Sequence, residues 1–502
     1  MCLPSVEVVV TADKSAPAHR HCGSGGERGD RMDPGERERR REVVLAEVNA
    51  ILREGWDALM PLAGDSGTGL DALEVATQAL LRQAGGRLLS GLLREQVLVS
   101  EGPAPLCPRC AHRMERQVRT REFEGLCGPS SLARSCDRCR KCHLNLAPVD
   151  EALGLAQGQL SPALSRVAAL HAAQDPFGLS SRSLNETLGT KLSCDQVYST
   201  AEALGTVDEA DMGAAQAAPP QEPGALPEGV DTLVIGADGT TSFIDDGYHE
   251  IKVGVVAPLS ATEQKIDPKT GRKLLVCAGK DYCATAGSAD AFFPRLALLA
   301  RRAGWGAPAL RNILNIGDGG QWLWNRYDRF DLPGVNRVEI LDYIHATGHI
   351  WDLAPTLIGG PPIDIHAWSE PLCTALMEQG PAPVLAALDA ATPLSPQAEE
   401  ALRQAKAYFA EHAAAGRMDY PAFMAKGWPI ASGLVEAGCK SVVCQRTKGS
   451  GMRWRRLGAQ AILNLRCKWL AAARWSEFFA TRPCRRRPPV HMLRKAVPAR
   501  AA

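Results

Sequence analysis

At 502 residues the chain is too long for one compact core and predicts three or four modules. Apolar residues make up 45% and charged residues 23%, as in an ordinary globular protein, and no apolar run reaches the ~18 residues of a membrane span. The N-terminus has no apolar core followed by a small-residue cleavage site, which argues against secretion. The 57 Lys and Arg nearly balance the 56 Asp and Glu, yet Cys439–Ala502 holds sixteen Lys/Arg and one acid, Glu477. Residues 1–438 hold 41 basic and 55 acidic residues. A basic end on an acidic chain predicts contact with a polyanion.

Residues 1–40, rich in Gly, Ser and charge and without apolar periodicity, read as a disordered segment. Across 41–99 apolar residues recur at helical spacing (Val43, Val44, Val48, Ile51, Leu52), which predicts a helical module. Residues 100–150 combine short strand-like runs with the clustered cysteines. Most of the sixteen cysteines are scattered singles such as Cys194, Cys277, Cys373 and Cys467, read as small buried hydrophobes. Paired thiols in a large chain without a signal peptide point to metal rather than to disulfides. Cys107-x2-Cys110 and Cys136-x2-Cys139 form two knuckles separated by 25 residues, which suits a zinc ribbon with four thiolates around tetrahedral Zn²⁺. Cys127, Cys142 and His143 are further candidates, and Cys142 can replace one of the second pair. Arg109, Arg113, Arg134, Arg138, Arg140 and Lys141 would let the ribbon hold DNA; alternatively it serves only to fold its module. Three helical segments in 151–207 (ALSRVAALHAAQ, SSRSLNETLGT, SCDQVYSTAEAL) fit either a helix-turn-helix unit or plain packing. The Pro/Ala/Gly-rich, acidic stretch 208–229 reads as a linker.

After this linker the pattern changes. VDTLVIGADG predicts a buried strand ending at Asp238, with HEIKVGVVAP and KLLVCAG as two more. ADAFFPRLALLARRAG predicts an amphipathic helix, RNILNIGDGG a strand ending at Asp318, and NRVEILDYIH a strand running into a helix. A helical stretch spans 350–430, after which Ser432 or Gly433 can cap a helix carrying Glu436. Three strands, a helix, a strand, a helix, a strand and a final helix is the order of a ribonuclease-H-like core. It would be split as 230–349 and 431–475 around a helical insertion, with a basic tail at 476–502. The expected fold class is thus multidomain α+β/α/β, the core being preceded by helical, zinc-ribbon-like and helix-turn-helix-like modules.

Asp238 and Asp318 each precede Gly at a predicted strand end. Ends at one sheet edge bring side chains together, and Gly lets a substrate backbone approach. With Glu436 they form a set of three carboxylates. Such a set suits Mg²⁺ or Mn²⁺, and in-line phosphoryl transfer on nucleic acid uses two such ions ~3.5–4 Å apart. Beyond Glu436, the cations Lys440, Arg446, Lys448, Arg453, Arg455 and Arg456 interleave with Trp454, a pattern suited to phosphate contacts and base stacking. Trp322 and Trp324 in QWLWN read as core side chains or as a wall for a flipped base.

The segments VIGADGT, NIGDGGQWLWN, ILDYIHATGHIWDLA and SGLVEAGCKSVVCQRTKGSGMRW resemble the DDE transposases of bacterial insertion sequences, most closely the ISKra-type family. The Cys-pair module followed by PVDEALGL is similar to that family as well. The resemblance implies a catalytic triad of Asp238, Asp318 and Glu436, and Mg²⁺-dependent strand cleavage and transfer at the element's terminal inverted repeats. Asp342 and His345 match a motif position between the second and third carboxylates, where His345 assists at the scissile phosphate or packs its helix. The implied partners are double-stranded DNA, as transposon ends and target, and a second copy or more of the chain. The implied setting is a bacterial cytoplasm, at the nucleoid. Two rivals remain: a ribonuclease-H-like nuclease without transfer activity, and a non-catalytic zinc-containing DNA-binding regulator.

Overall fold

Helical spacing at the N-terminal end builds a hairpin of α1 (Pro34–Gly64) and α2 (Leu70–Arg94), with Val44 against Gly91 and Leu80 against Gly55. The computed structural model describes residues 34–94, 103–155, 159–266, 273–277, 279–471 and 473–480. Residues 34–40 are therefore helical rather than disordered, with Glu36 paired to Arg39 and Arg40 across one turn. The remainder of the segment expected to be disordered, 1–33, lies outside the described residues, as do 481–502 of the basic tail.

A ribbon follows, with β1 (Glu115–Gly125), β2 (Gly128–Arg138) and β3 (Asn145–Leu146) in one antiparallel sheet of order β1-β2-β3. The short α3 (Pro148–Ala152) sets Asp150 between Arg121 and Arg134, clamping the ribbon by two ion pairs. Next come α4 (Pro162–Gln174), α5 (Phe177–Leu188) and α6 (Cys194–Ala217), the last opened by a Ser193–Gln196 capping box. Residues 208–217, expected as linker, are thus the end of a helix.

The main sheet contains β4 (Thr232–Ile244), β5 (Gly247–Ile266), β6 (Lys273–Cys277), β7 (Asp281–Thr285), β8 (Asn312–Gly317) and β9 (Asn336–Leu341). Its order is β6-β5-β4-β8-β9, with β7 also paired to β5. The pairs within β4–β7 are antiparallel; β4/β8 and β8/β9 are parallel. Two details differ from the sequence reading. The first strand does not end at Asp238 but runs on to Ile244 in a hairpin with β5, and β7 (DYCAT) is a strand the reading lacked.

Between β7 and β8 lies α7 (Ala289–Arg302), and after β8 the one-turn α8 (Gln321–Trp324). Then α9 (Tyr343–Leu357), α10 (Pro362–Gln379), α11 (Ala382–Ala390), α12 (Pro396–Ala414) and α13 (Tyr420–Ala425) form a helical block on one side of the sheet. It shares a core with Ile235, Phe292, Ile316 and Leu341. The chain returns through α14 (Gly433–Gly438), a π-helical turn at Cys439–Cys444 and α15 (Gln445–Thr447) to α16 (Arg456–Leu470) and α17 (Arg474–Ala480). These pack on the other face with α4–α6, around Ile251, Val253, Val442 and Leu463. No helix among the described residues is long and apolar enough to cross a membrane.

The three-helix unit is fastened to this face. Asn464 on α16 donates to the Gly205 carbonyl and to Glu209 of α6, and Lys468 pairs with buried Asp208 at 2.8 Å. Helix α6 holds five acids and no Lys or Arg, and its C-terminal half is committed to α16.

Candidate functional site

Two tight turns build the cysteine cluster. In each, the N–H of the first cysteine donates to the carbonyl five residues on: Cys107 to His112 and Cys139 to Leu144, both at 2.8 Å. In each the residue after the second cysteine, Ala111 or His143, takes a left-handed backbone with φ of 57°. The knuckles are therefore Cys107-x2-Cys110 and Cys139-x2-Cys142. Their four sulfurs lie within 4.8 Å of one another, with Cys107–Cys142 at 3.4 Å and Cys110–Cys139 at 3.5 Å. A tetrahedron of Zn–S bonds of ~2.3 Å would set sulfurs ~3.8 Å apart, so the four thiols are placed to hold one metal ion. Burial opposes ionisation of Cys107, but the N–H groups of Arg109 and Cys110 bring its thiol down to about 6.

Cys136, expected as a ligand, belongs to β2 opposite Gln117 and is replaced by Cys142. The physical reason is strand alternation: a residue inside a hairpin cannot share the inward turn of a knuckle. Cys127 sits exposed at the far turn of the ribbon, beside Gly85 of α2. Arg134 is buried on Asp150, out of reach of DNA, whereas exposed Arg140 pairs with Glu115 at 2.7 Å on the surface.

The parallel strands carry the second site. β4 and β8 pair as far as Gly236↔Ile316, and β8 and β9 as far as Gly317↔Leu341. Extending these registers sets Asp238 level with Asp318, and Asp318 level with Asp342, along the carboxyl edge of three adjacent strands. This edge of an open α/β sheet is where ligands bind. Asp238 Oδ1 accepts the Gly239 N–H at 2.6 Å and Asp318 Oδ1 the Gly320 N–H at 3.1 Å. Burial, then the charge of Asp318, raise the Asp238 pKa above the ordinary carboxylate value, while His345 acts weakly the other way. His345 is exposed on the first turn of α9, and its ring meets that of His349 at 5.1 Å.

Asp342 is the residue whose role the sequence left undefined. Buried, it accepts the His345 N–H at 2.8 Å, capping α9, and the Ser432 N–H at 2.5 Å. It thereby joins the third parallel strand to the turn that starts α14, four residues before Glu436. Helix α14 crosses the sheet closely: a side chain at Gly236 would strike Val435, and one at Gly438 would meet Val255 at 2.9 Å. At the next residue, Cys439 Sγ approaches Asp238 Oδ2 at 3.6 Å. The π-helical turn beginning there adds a residue to the helix, a feature frequent beside functional sites. Glu436 itself is 62% exposed and bound to Lys440 at 2.7 Å. Asp238, Asp318 and Glu436 do not lie within 4.8 Å of one another among the described residues.

The expected DNA-contacting residues separate into two groups. Arg446 is fully buried, donating to the Ala172 carbonyl at 2.8 Å with its guanidinium 4.8 Å from the rings of both Phe177 and Trp454. Trp454 is buried too, its indole N–H on the Thr447 carbonyl at 3.2 Å. Both are corrections: an interior cation and an interior ring reach no DNA. Lys440, Lys448, Arg453, Arg455 and Arg456 are exposed. Lys448 Nζ donates to Thr240 Oγ1 at 2.7 Å, two residues past Asp238, while Arg456 leans on Asp245 at 3.5 Å. Trp324 is core, against Tyr327 and Arg417, and half-buried Trp322 packs on Phe292 and Phe293.

Compared with known protein families and with characterised proteins, the chain matches no family model and no curated sequence.

Proposed function

We propose that the chain is a DDE-type transposase that binds the terminal inverted repeats of its own element and carries out Mg²⁺-dependent DNA cleavage and strand transfer. The observation that carries this reading is the shared register of Asp238 and Asp318 at the carboxyl edge of adjacent parallel strands, with α14 laid across β4 beside them. The strand order β7-β5-β4-β8-β9, antiparallel and then parallel, supports a ribonuclease-H-like core. Two carboxylates whose proximity already raises one of them favour a divalent cation as their neutraliser. Asp238 and Asp318 would hold Mg²⁺ or Mn²⁺, with Glu436 joining on leaving Lys440. When bound, such ions activate the attacking oxygen and stabilise the leaving one. Lys448, Arg453 and Arg455 take backbone phosphates, and His345 lies beside the carboxylates to orient the scissile group. The knuckles hold Zn²⁺ as a structural ion. Two DNA ends must meet, so the working form is at least a dimer on double-stranded DNA, in a bacterial cytoplasm at the nucleoid.

A second reading, a zinc-containing DNA-binding regulator, is favoured by the outward pairing of Glu436 with Lys440. Incubating the protein with labelled duplexes of the DNA flanking its gene, with Mg²⁺ or Mn²⁺, separates the readings. Joined products support the transposase; cleaved but unjoined ends indicate a nuclease; binding alone indicates the regulator.

A further inference from the structure

The α1–α2 hairpin exposes a row of large apolar side chains. On α2, Leu70, Leu81, Leu88 and Leu92 are 72%, 59%, 41% and 59% exposed, and at spacings of 11, 18 and 22 residues from Leu70 they fall on one narrow stripe. On α1, Leu45, Trp56 and Met60 are 42%, 65% and 49% exposed, and spacings of 11 and 15 align them likewise. The two stripes share a side, because Leu45 lines one groove with Leu88 and Leu92, a space of about 310 Å³. Leaving such a two-helix apolar face in water is unfavourable, so it calls for a partner.

Charge identifies that partner. The tip of the hairpin, residues 53–75, has five acids (Glu54, Asp57, Asp65, Asp71, Glu74) and one base, Arg53. Its base, residues 34–48 and 82–94, has seven arginines and four acids. The polarity extends onto the apolar face: Arg37 and Arg41 line the groove at the base, and Glu74 lies on the Leu70–Leu81 stripe at the tip. A surface acidic at one end and basic at the other complements itself when inverted by a twofold axis. With a ~37 Å rise along α2 and two helices ~9 Å apart, each copy offers about 700 Å², close to the ~800 Å² per partner of a stable interface.

We propose that this face docks on the same face of a second copy, head to tail, forming an antiparallel four-helix bundle that dimerises the chain without DNA. It does not rest on the transposase reading. Sedimentation velocity of the full chain, without DNA or divalent ions and across the micromolar range, tests it. The wild type is expected as a dimer, and the combined Leu81→Glu and Leu88→Glu variant as a monomer with unchanged circular dichroism and melting. Glu74→Arg should weaken the dimer about tenfold, and adding Arg41→Glu should restore it. A monomeric wild type, a dimer that survives both leucine changes, or a charge reversal that fails to restore association would overturn the proposal.

Discussion

Arg446 and Arg455 stand nine residues apart in one basic run, and the fold gives them opposite tasks. Burial, then the charge of Arg466, hold Arg446 down to about 10, and it stays inside because Phe177 and Trp454 sandwich it. Arg446→Ala is expected to cost about 2–4 kcal/mol in chemical denaturation while leaving the salt dependence of DNA binding unchanged. Arg455→Ala should leave stability unchanged and lower the slope of log affinity against log salt by about 1. Equal effects of the two changes on either measurement would contradict this division. Asp238 carries a pH signature of its own. Its folded pKa lies above the ordinary 3.8, so the native state binds this proton more tightly than the unfolded chain does. Its contribution to stability is therefore lost as pH rises from the ordinary value through the raised one. Without divalent ions, Asp238→Asn should melt higher than wild type at neutral pH, with the gain vanishing below about pH 4. A gain independent of pH would mean that desolvation is not its source. These roles were hidden in the sequence, because a cation in a charged run reads as solvated until packing decides its depth.

At the scale of elements, the strands bearing Asp238 and Asp318 were legible because apolar runs ending in Asp-Gly are local signals. So were two cysteine pairs, but not which pairs. Cys136-Asp-Arg-Cys139 and Cys139-Arg-Lys-Cys142 have the same spacing, and only the hairpin pairing of Cys136 with Gln117 separates them. Zinc analysis should find ~1 zinc per chain, lost in Cys142→Ser and retained in Cys136→Ser; the reverse would refute the assignment. The end of α6 is not legible, because its alanines and acids resemble a linker and burial of Asp208 on Lys468 is a tertiary fact. β7 is not legible because a five-residue strand buried on both faces shows no alternation. The dependence of α14 on Asp342 could be anticipated only in part, as a motif position. Asp342→Ala should unlatch α14 from the strand edge and lower cleavage by the ~10–100-fold typical of lost supporting contacts, with DNA affinity retained.

The whole molecule gathers its candidate chemistry from three distant segments. Strands place Asp238 and Asp318, α14 delivers the turn of Glu436, and the basic run continues past it toward a C-terminal end whose charge opposes that of the rest. The three-helix unit is acidic along α6 and locked to α16. On the transposase reading, DNA contacts would fall to the exposed cations around Lys448 and Arg455. Asp238 and Asp318 are the proposed working carboxylates of a DNA-cutting centre. The most direct test is cleavage of a labelled duplex carrying the flanking inverted repeats in Mg²⁺, with Asp318→Asn in parallel. Cleavage is expected from the wild type and a loss well beyond ~100-fold in the variant, with duplex binding unchanged. Cleavage that persists in Asp318→Asn, or binding without cleavage by either protein in Mg²⁺ and Mn²⁺, would contradict this assignment.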